Sequence, residues 1–101
     1  MVTLEERFEH LEKTIRGYNI SADLKLVEAA YSYAREHHGA QLRRDGTPYI
    51  THPIQVAQIV AEMRLDSESI LAALLHDCIE DTDSTYEDIA KRFGVTVADI
   101  V

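Results

Sequence analysis

Ser67-Glu-Ser-Ile-Leu-Ala-Ala-Leu-Leu-His-Asp-Cys-Ile-Glu-Asp81 decides the fold. Ile70, Leu71, Leu74, Leu75 and Cys78 cover a wider arc than the single dry stripe of a surface helix. The segment is therefore expected to be a helix that opens at Asp66 or Ser67 and runs through the middle of the domain. Near its end stand His76 and Asp77, with Glu80 and Asp81 one turn further on. Adjacent helical positions are about 100 degrees apart, so an imidazole and a carboxylate can lean toward one point from a single rigid element. His76 with Glu80 and Asp77 with Asp81 are i, i+4 pairs, which puts the second pair on the same side.

Helical periodicity extends outward from this segment in both directions. Leu4, Phe8, Leu11 and Ile15 predict an amphipathic first helix ending before Gly17. Ser21 is the expected N-cap of a second helix, with Asp23 in its first turn, an apolar stripe of Leu24, Val27, Tyr31 and Ala34, and an end at His37-His38-Gly39. Residues 40–51 form the long loop, with turn chemistry at Asp45-Gly46-Thr47-Pro48. Thr51 or His52 is expected to cap a third helix, Pro53 lying near N1 and Ile54, Ala57, Val60 and Met63 facing inward. Thr85 with Asp88 resembles a capping box before Ile89, Ala90 and Phe93, and Gly94 closes that helix. Thr96 opens a last helix that reaches only Val101, and because one helical turn is marginal the chain is expected to be a fragment. No strand-like alternation competes, so the fold class is all-α.

At 101 residues the chain has room for one domain and one modest core. Its formal charge of −8, from 18 acids and 10 bases, argues against a general nucleic-acid surface, which needs clustered Lys and Arg to neutralise phosphates. A small anionic ligand stays open, because a bound metal or the pair Arg43-Arg44 can invert the field locally. The single cysteine, Cys78, excludes an internal disulfide framework and a cysteine-based zinc cluster. The charged start Met1-Val-Thr-Leu-Glu-Glu-Arg7 lacks a signal-peptide apolar run, and no stretch approaches a membrane span. These features together favour a cytoplasmic location.

The titratable residues suit a metal-dependent hydrolase, which needs imidazole and carboxylate ligands from different helices and an acid or base that is not a ligand. His52, His76 and Asp77 answer the first need, Glu80 and Asp81 the second. From His52 to the turn at Asp66 is 14 residues and from there to His76 is 10, or roughly 21 and 15 Å of helix, so antiparallel packing brings the two ends together. Plainer roles compete: His52 as a helix cap, Arg43-Arg44 as a solvated loop pair, Asp81, Asp83 and Ser84 as turn residues. His10, His37 and His38 read as surface or helix-end residues, and Cys78 and most tyrosines as packing.

Two stretches, Gln41-Leu-Arg-Arg-Asp-Gly-Thr-Pro-Tyr-Ile-Thr-His-Pro53 and Ala72-Ala-Leu-Leu-His-Asp-Cys-Ile-Glu-Asp-Thr82, together resemble the amino-terminal hydrolase domain of RelA/SpoT-type enzymes, part of the HD superfamily. The resemblance covers roughly Leu24 to Val101 and implies an HD-domain-like helical bundle, incomplete at its C-terminus. It implies Mn²⁺-dependent removal of the 3′-diphosphate from the alarmone (p)ppGpp, giving GDP or GTP and pyrophosphate, in the setting of the stringent response. His52, His76 and Asp77 match three of the family's metal ligands, Glu80 and Asp81 its catalytic acidic pair, and Arg43 the arginine that packs on guanine. Arg44 stands where lysine is common and keeps the charge. The family's fourth metal ligand is an aspartate in a later motif, and its bifunctional members carry a synthetase (GTP pyrophosphokinase) domain; both would lie beyond Val101, so this stretch is expected to turn over poorly. Two alternatives remain at this stage: an HD phosphohydrolase acting on another nucleotide, and a non-catalytic guanine-nucleotide regulatory or interaction module.

Overall fold

A computed structural model describes residues 3–18, 23–39 and 41–101, except the side chains of Glu80 and Asp81. Among the described residues seven helices follow one another in the order α1 Leu4–Tyr18, α2 Leu24–His38, α3 Thr51–Glu62, α4 Ser67–Leu75, α5 Cys78–Asp81, α6 Tyr86–Phe93 and α7 Val95–Ile100. Among the described residues there is no strand, only an isolated antiparallel bridge between Leu42 and Pro48.

Helix α4 is the axis of the bundle, as its composition predicts. Every residue from Ile70 to Leu75 is buried, and α2, α3 and α7 pack around it. Asp66 starts it, its carboxylate accepting from the Ser69 amide at 2.8 Å and satisfying one orphan donor of the first turn. The Asp66 carboxyl is held below its ordinary value by hydrogen bonding from Ser69, first from its hydroxyl and then from its amide. Helix α1 contributes Phe8, Leu11 and Ile15 to the core, α3 contributes Pro53, Ile54, Ala57 and Ala61, and α7 closes the far side with Val97 and Ala98.

Several local expectations need correction. Helix α1 does not stop before Gly17 but continues to Tyr18, whose hydroxyl donates to the Leu65 carbonyl at 2.8 Å and anchors the last turn. Ser21 lies outside the described residues, and Asp23 is itself the N-cap of α2, accepting from the Leu26 amide. Neither Thr51 nor His52 caps α3. Their amides donate to the Pro48 and Tyr49 carbonyls, so the loop winds into the helix from Ile50 and Pro53 falls at the third helical position. Met63 is 64% exposed; Ala61 takes the inner place near the end of α3 because the helix stops at Glu62. Helix α7 begins one residue early, at Val95, after Gly94 with φ 102°.

The largest departure is a break in the central helix. Residues His76 and Asp77 form a turn between α4 and α5 instead of continuing one rod. The His76 ring takes the Ala73 carbonyl through Nδ1 at 2.6 Å, serving a carbonyl at the end of α4 that the next turn would otherwise claim. The pairs His76-Glu80 and Asp77-Asp81 span this turn, whose two residues keep right-handed helical dihedrals, and the Glu80 and Asp81 side chains lie outside the described residues.

Candidate metal centre

His52 enters from the first turn of α3, while His76 and Asp77 come from the turn after α4. Antiparallel return of α4 on α3 brings the three side chains to one point: one donor atom from each lies within 4.8 Å of the others. Nε2 of His76 is 3.0 Å and Nε2 of His52 is 3.6 Å from Oδ2 of Asp77. The imidazole centroids are 5.2 Å apart at 64°. All three residues are partly buried, as a site open to a small ligand requires.

The donor chemistry fits a divalent ion. A carbonyl only accepts, so the Ala73 bond fixes the proton of neutral His76 on Nδ1 and leaves the Nε2 lone pair toward Asp77. A lone pair facing a carboxylate oxygen at 3.0 Å is two acceptors in contact, a repulsion that a cation or a proton relieves. Burial lowers the His52 pKa below its ordinary 6.5, against the opposing pull of Asp77. His52 is thus uncharged near neutrality with a lone pair to give. Two imidazoles and a carboxylate are the nitrogen and oxygen donors that first-row divalent metals accept.

Beside the cluster lies a cleft of about 450 Å³ lined by Leu42, Arg43, Arg44, Asp45, Tyr49 and His52. A small turn shapes it: the Arg43 amide donates to the Thr47 carbonyl at 2.8 Å, the Gly46 amide to the Arg43 carbonyl, and the Asp45 carboxylate accepts from both the amide and hydroxyl of Thr47. Gly46 adopts φ 86°, a left-handed conformation that glycine takes without strain. Arg43 and Arg44 are exposed on this turn and make no ion pair with a carboxylate among the described residues. They put two positive charges, one of them acting on the neighbouring Asp45, into a chain of net charge −8.

His52, His76 and Asp77 thus converge, and Arg43 and Arg44 share a cleft with His52. The expected acidic pair, Glu80 and Asp81, lies on α5, with side chains outside the described residues. Two participants were not foreseen. The Tyr49 hydroxyl donates to Asp77 Oδ2 at 2.7 Å. His38, expected as a surface or helix-end residue, does end α2 but is 2% exposed; it stacks on Tyr49 with centroids 4.7 Å apart and holds Gln41 Oε1 at 3.0 Å from its Nδ1. The signal available for Tyr49 was its place three residues before His52 in a polar turn.

The profile of the HD domain family matches residues 30–101. The chain belongs to the HD domain family. Within that family this HD domain is 50% identical over 94 residues to the bifunctional (p)ppGpp synthase/hydrolase SpoT of Escherichia coli, covering 93% of this chain and 13% of that one. It is 50% identical over 100 residues to the guanosine-3′,5′-bis(diphosphate) 3′-pyrophosphohydrolase of Aquifex aeolicus, covering 99% and 14%. The GTP pyrophosphokinase of Myxococcus xanthus is 44% identical over 88 residues, or 87% of this chain and 12% of that enzyme. The chain therefore spans only 12–14% of the length of these relatives. No helix among the described residues is long and apolar enough to cross a membrane.

Proposed function

We propose that this HD domain is a Mn²⁺-dependent (p)ppGpp 3′-pyrophosphohydrolase domain acting in the cytoplasm. One observation carries the reading: ring nitrogens of two imidazoles and the Asp77 carboxylate converge beside a cleft that presents the two exposed arginines Arg43 and Arg44. The names of the similar enzymes point the same way. His52, His76 and Asp77 hold the metal, and an aspartate from chain outside these 101 residues completes the set. Because it spans 12–14% of the length of the similar enzymes, we read the domain as the amino-terminal part of a longer hydrolase that can carry a synthetase domain.

Held by His52, His76 and Asp77, Mn²⁺ would supply Lewis-acid polarisation of a phosphoryl oxygen and would make the attacking water more acidic. Glu80 and Asp81 orient the attacking water and take its proton, and the bond from the 3′ oxygen to phosphorus breaks. The 3′ oxygen regains a proton, leaving GDP from ppGpp or GTP from pppGpp, with pyrophosphate released. Arg43 stacks its planar guanidinium on the guanine base, and Arg44 supplies positive charge to the phosphates.

The test is pyrophosphate release from ppGpp by a chain extended to the length of its relatives, with Mn²⁺ and with His76→Ala. Turnover is expected for the unaltered protein and loss to background for the variant. Undiminished turnover in His76→Ala would sink the metal assignment, and a preference for deoxynucleoside triphosphates over ppGpp would overturn the substrate.

A further inference from the structure

Tyr49 links the cleft to two of the three candidate ligands, His52 and Asp77. Its amide donates to the Gln41 carbonyl at 2.9 Å and its carbonyl accepts from the His52 amide at 2.9 Å, so its backbone is pinned on both sides. The ring stacks on the buried His38 and meets the His52 ring edge-on at 6.0 Å. Its face lines the cleft that holds Arg43. Its hydroxyl reaches the same oxygen, Asp77 Oδ2, that both imidazoles approach.

A carboxylate on a turn, unlike one on a continuous helix, has no neighbouring rungs to fix its rotamer. Asp77 is in that position, between α4 and α5. The phenol is a rigid support with two side-chain torsions, one of them constrained by the His38 stack, so it can hold the carboxylate in place before any ligand arrives. Hydrogen bonds from such outer groups orient metal ligands and typically alter metal affinity by about 10–100-fold.

We propose that Tyr49 is a positioning residue for the metal centre: backed by His38, its hydroxyl fixes Asp77 in the orientation that meets His52 and His76. This rests on the metal reading above and adds a residue to it. The same residue joins the base-binding cleft to the metal ligands, so a nucleotide that shifts the Tyr49 ring would also shift Asp77.

The experiment titrates the chain extended to the length of its relatives with Mn²⁺, following the free-ion paramagnetic resonance signal, and records the visible spectrum of the Co²⁺-loaded form. Tyr49→Phe keeps the ring on His38 and removes one oxygen. Tyr18→Phe, which loses a hydroxyl bond to the Leu65 carbonyl on another face, is the control. Expected are Mn²⁺ binding at least about tenfold weaker in Tyr49→Phe with an altered Co²⁺ spectrum, and affinity within twofold in Tyr18→Phe. Equal weakening in both variants, or affinity within twofold in Tyr49→Phe, overturns the proposal. So does a Tyr49→Phe chain that loses its far-ultraviolet helical spectrum, since the hydroxyl would then be holding the fold. If the unaltered chain takes up no Mn²⁺, the metal reading itself falls and takes this inference with it.

Discussion

Tyr33 and Tyr49 each donate a 2.7 Å hydrogen bond to an aspartate, Tyr33 to Asp88 and Tyr49 to Asp77, but the two carboxylates have opposite company. Asp88 also accepts from Arg92 Nε at 3.2 Å, and the Arg92 guanidinium lies 5.2 Å over the Tyr33 ring. Ser84 pairs with the Tyr33 hydroxyl at 2.6 Å. The chain itself supplies the countercharge, and the cluster ties α2 to the start of α6. Asp77 instead faces two imidazoles, one with its lone pair turned inward, and no Arg or Lys forms an ion pair with it among the described residues. The same contact closes a structural lock in one place and leaves a demand for a cation in the other.

Replacing the two aspartates should separate these roles most sharply. Asp77→Ala is expected to weaken Mn²⁺ binding by about 100-fold or more while the midpoint of urea unfolding hardly moves, because a ligand is lost from a partly solvated turn. A calorimetric titration beside an unfolding curve checks both halves. An Asp77→Ala chain that binds Mn²⁺ as before would erase the contrast.

Tyr33→Phe should do the reverse. It leaves the buried Ser84 hydroxyl without its partner and is expected to cost about 1–3 kcal/mol in urea unfolding, with Mn²⁺ affinity unchanged. The pH dependence carries the same signature. Burial, then the bond to Asp88, raises Tyr33 to about 12 from an ordinary 10.0. A raised folded-state value means that the contribution is complete below pH 10 and is lost as pH rises toward 12. Asp88 is shifted downward, first by its bond from Tyr33, so its contribution is present above 3.8 and is lost as pH falls through its lower folded value. Ultraviolet titration should show a tyrosine ionising near pH 12 that is missing in Tyr33→Phe, and the variant's stability should fall less in the alkaline range, with the shares of Tyr18, Tyr31 and Tyr86 remaining.

The smallest effect is expected at Arg92→Ala. Its i, i+4 pair with Asp88 is well exposed, so about 0.3–0.5 kcal/mol of stability should disappear in low salt and less in high salt. A loss above about 1 kcal/mol would show that the guanidinium over Tyr33 matters more than the ion pair.

Most of the helical framework was legible because burial and capping follow local patterns. The stripes Phe8, Leu11, Ile15 and Ile70–Leu75 face the core, and Asp66, Thr85, Gly39 and Gly94 end helices by the chemistry expected of them. The break at His76 was not legible, since no glycine or proline marks it and the competing bond to the Ala73 carbonyl exists only once the ring has turned inward. Thr85 caps α6 as foreseen, but Asp88 does not serve as the partner of a box: a tyrosine 55 positions away claims its carboxylate. The convergence of His52 with His76 and Asp77 followed from segment lengths. Tyr49 and His38 escaped because their roles depend on a loop and a turn meeting across the fold, and no periodicity encodes that.

The bond from His76 to the Ala73 carbonyl joins two things usually considered apart. Ala73 belongs to the most enclosed helix, and the imidazole belongs to the site. A slight rotation of α4's last turn would release the Nδ1 proton from its acceptor and let the ring exchange tautomers. Nitrogen-15 shifts of this one imidazole would therefore act as a strain gauge: a substitution deep at Leu74 or Leu75 would be read at the metal ligand before any backbone displacement there could be seen.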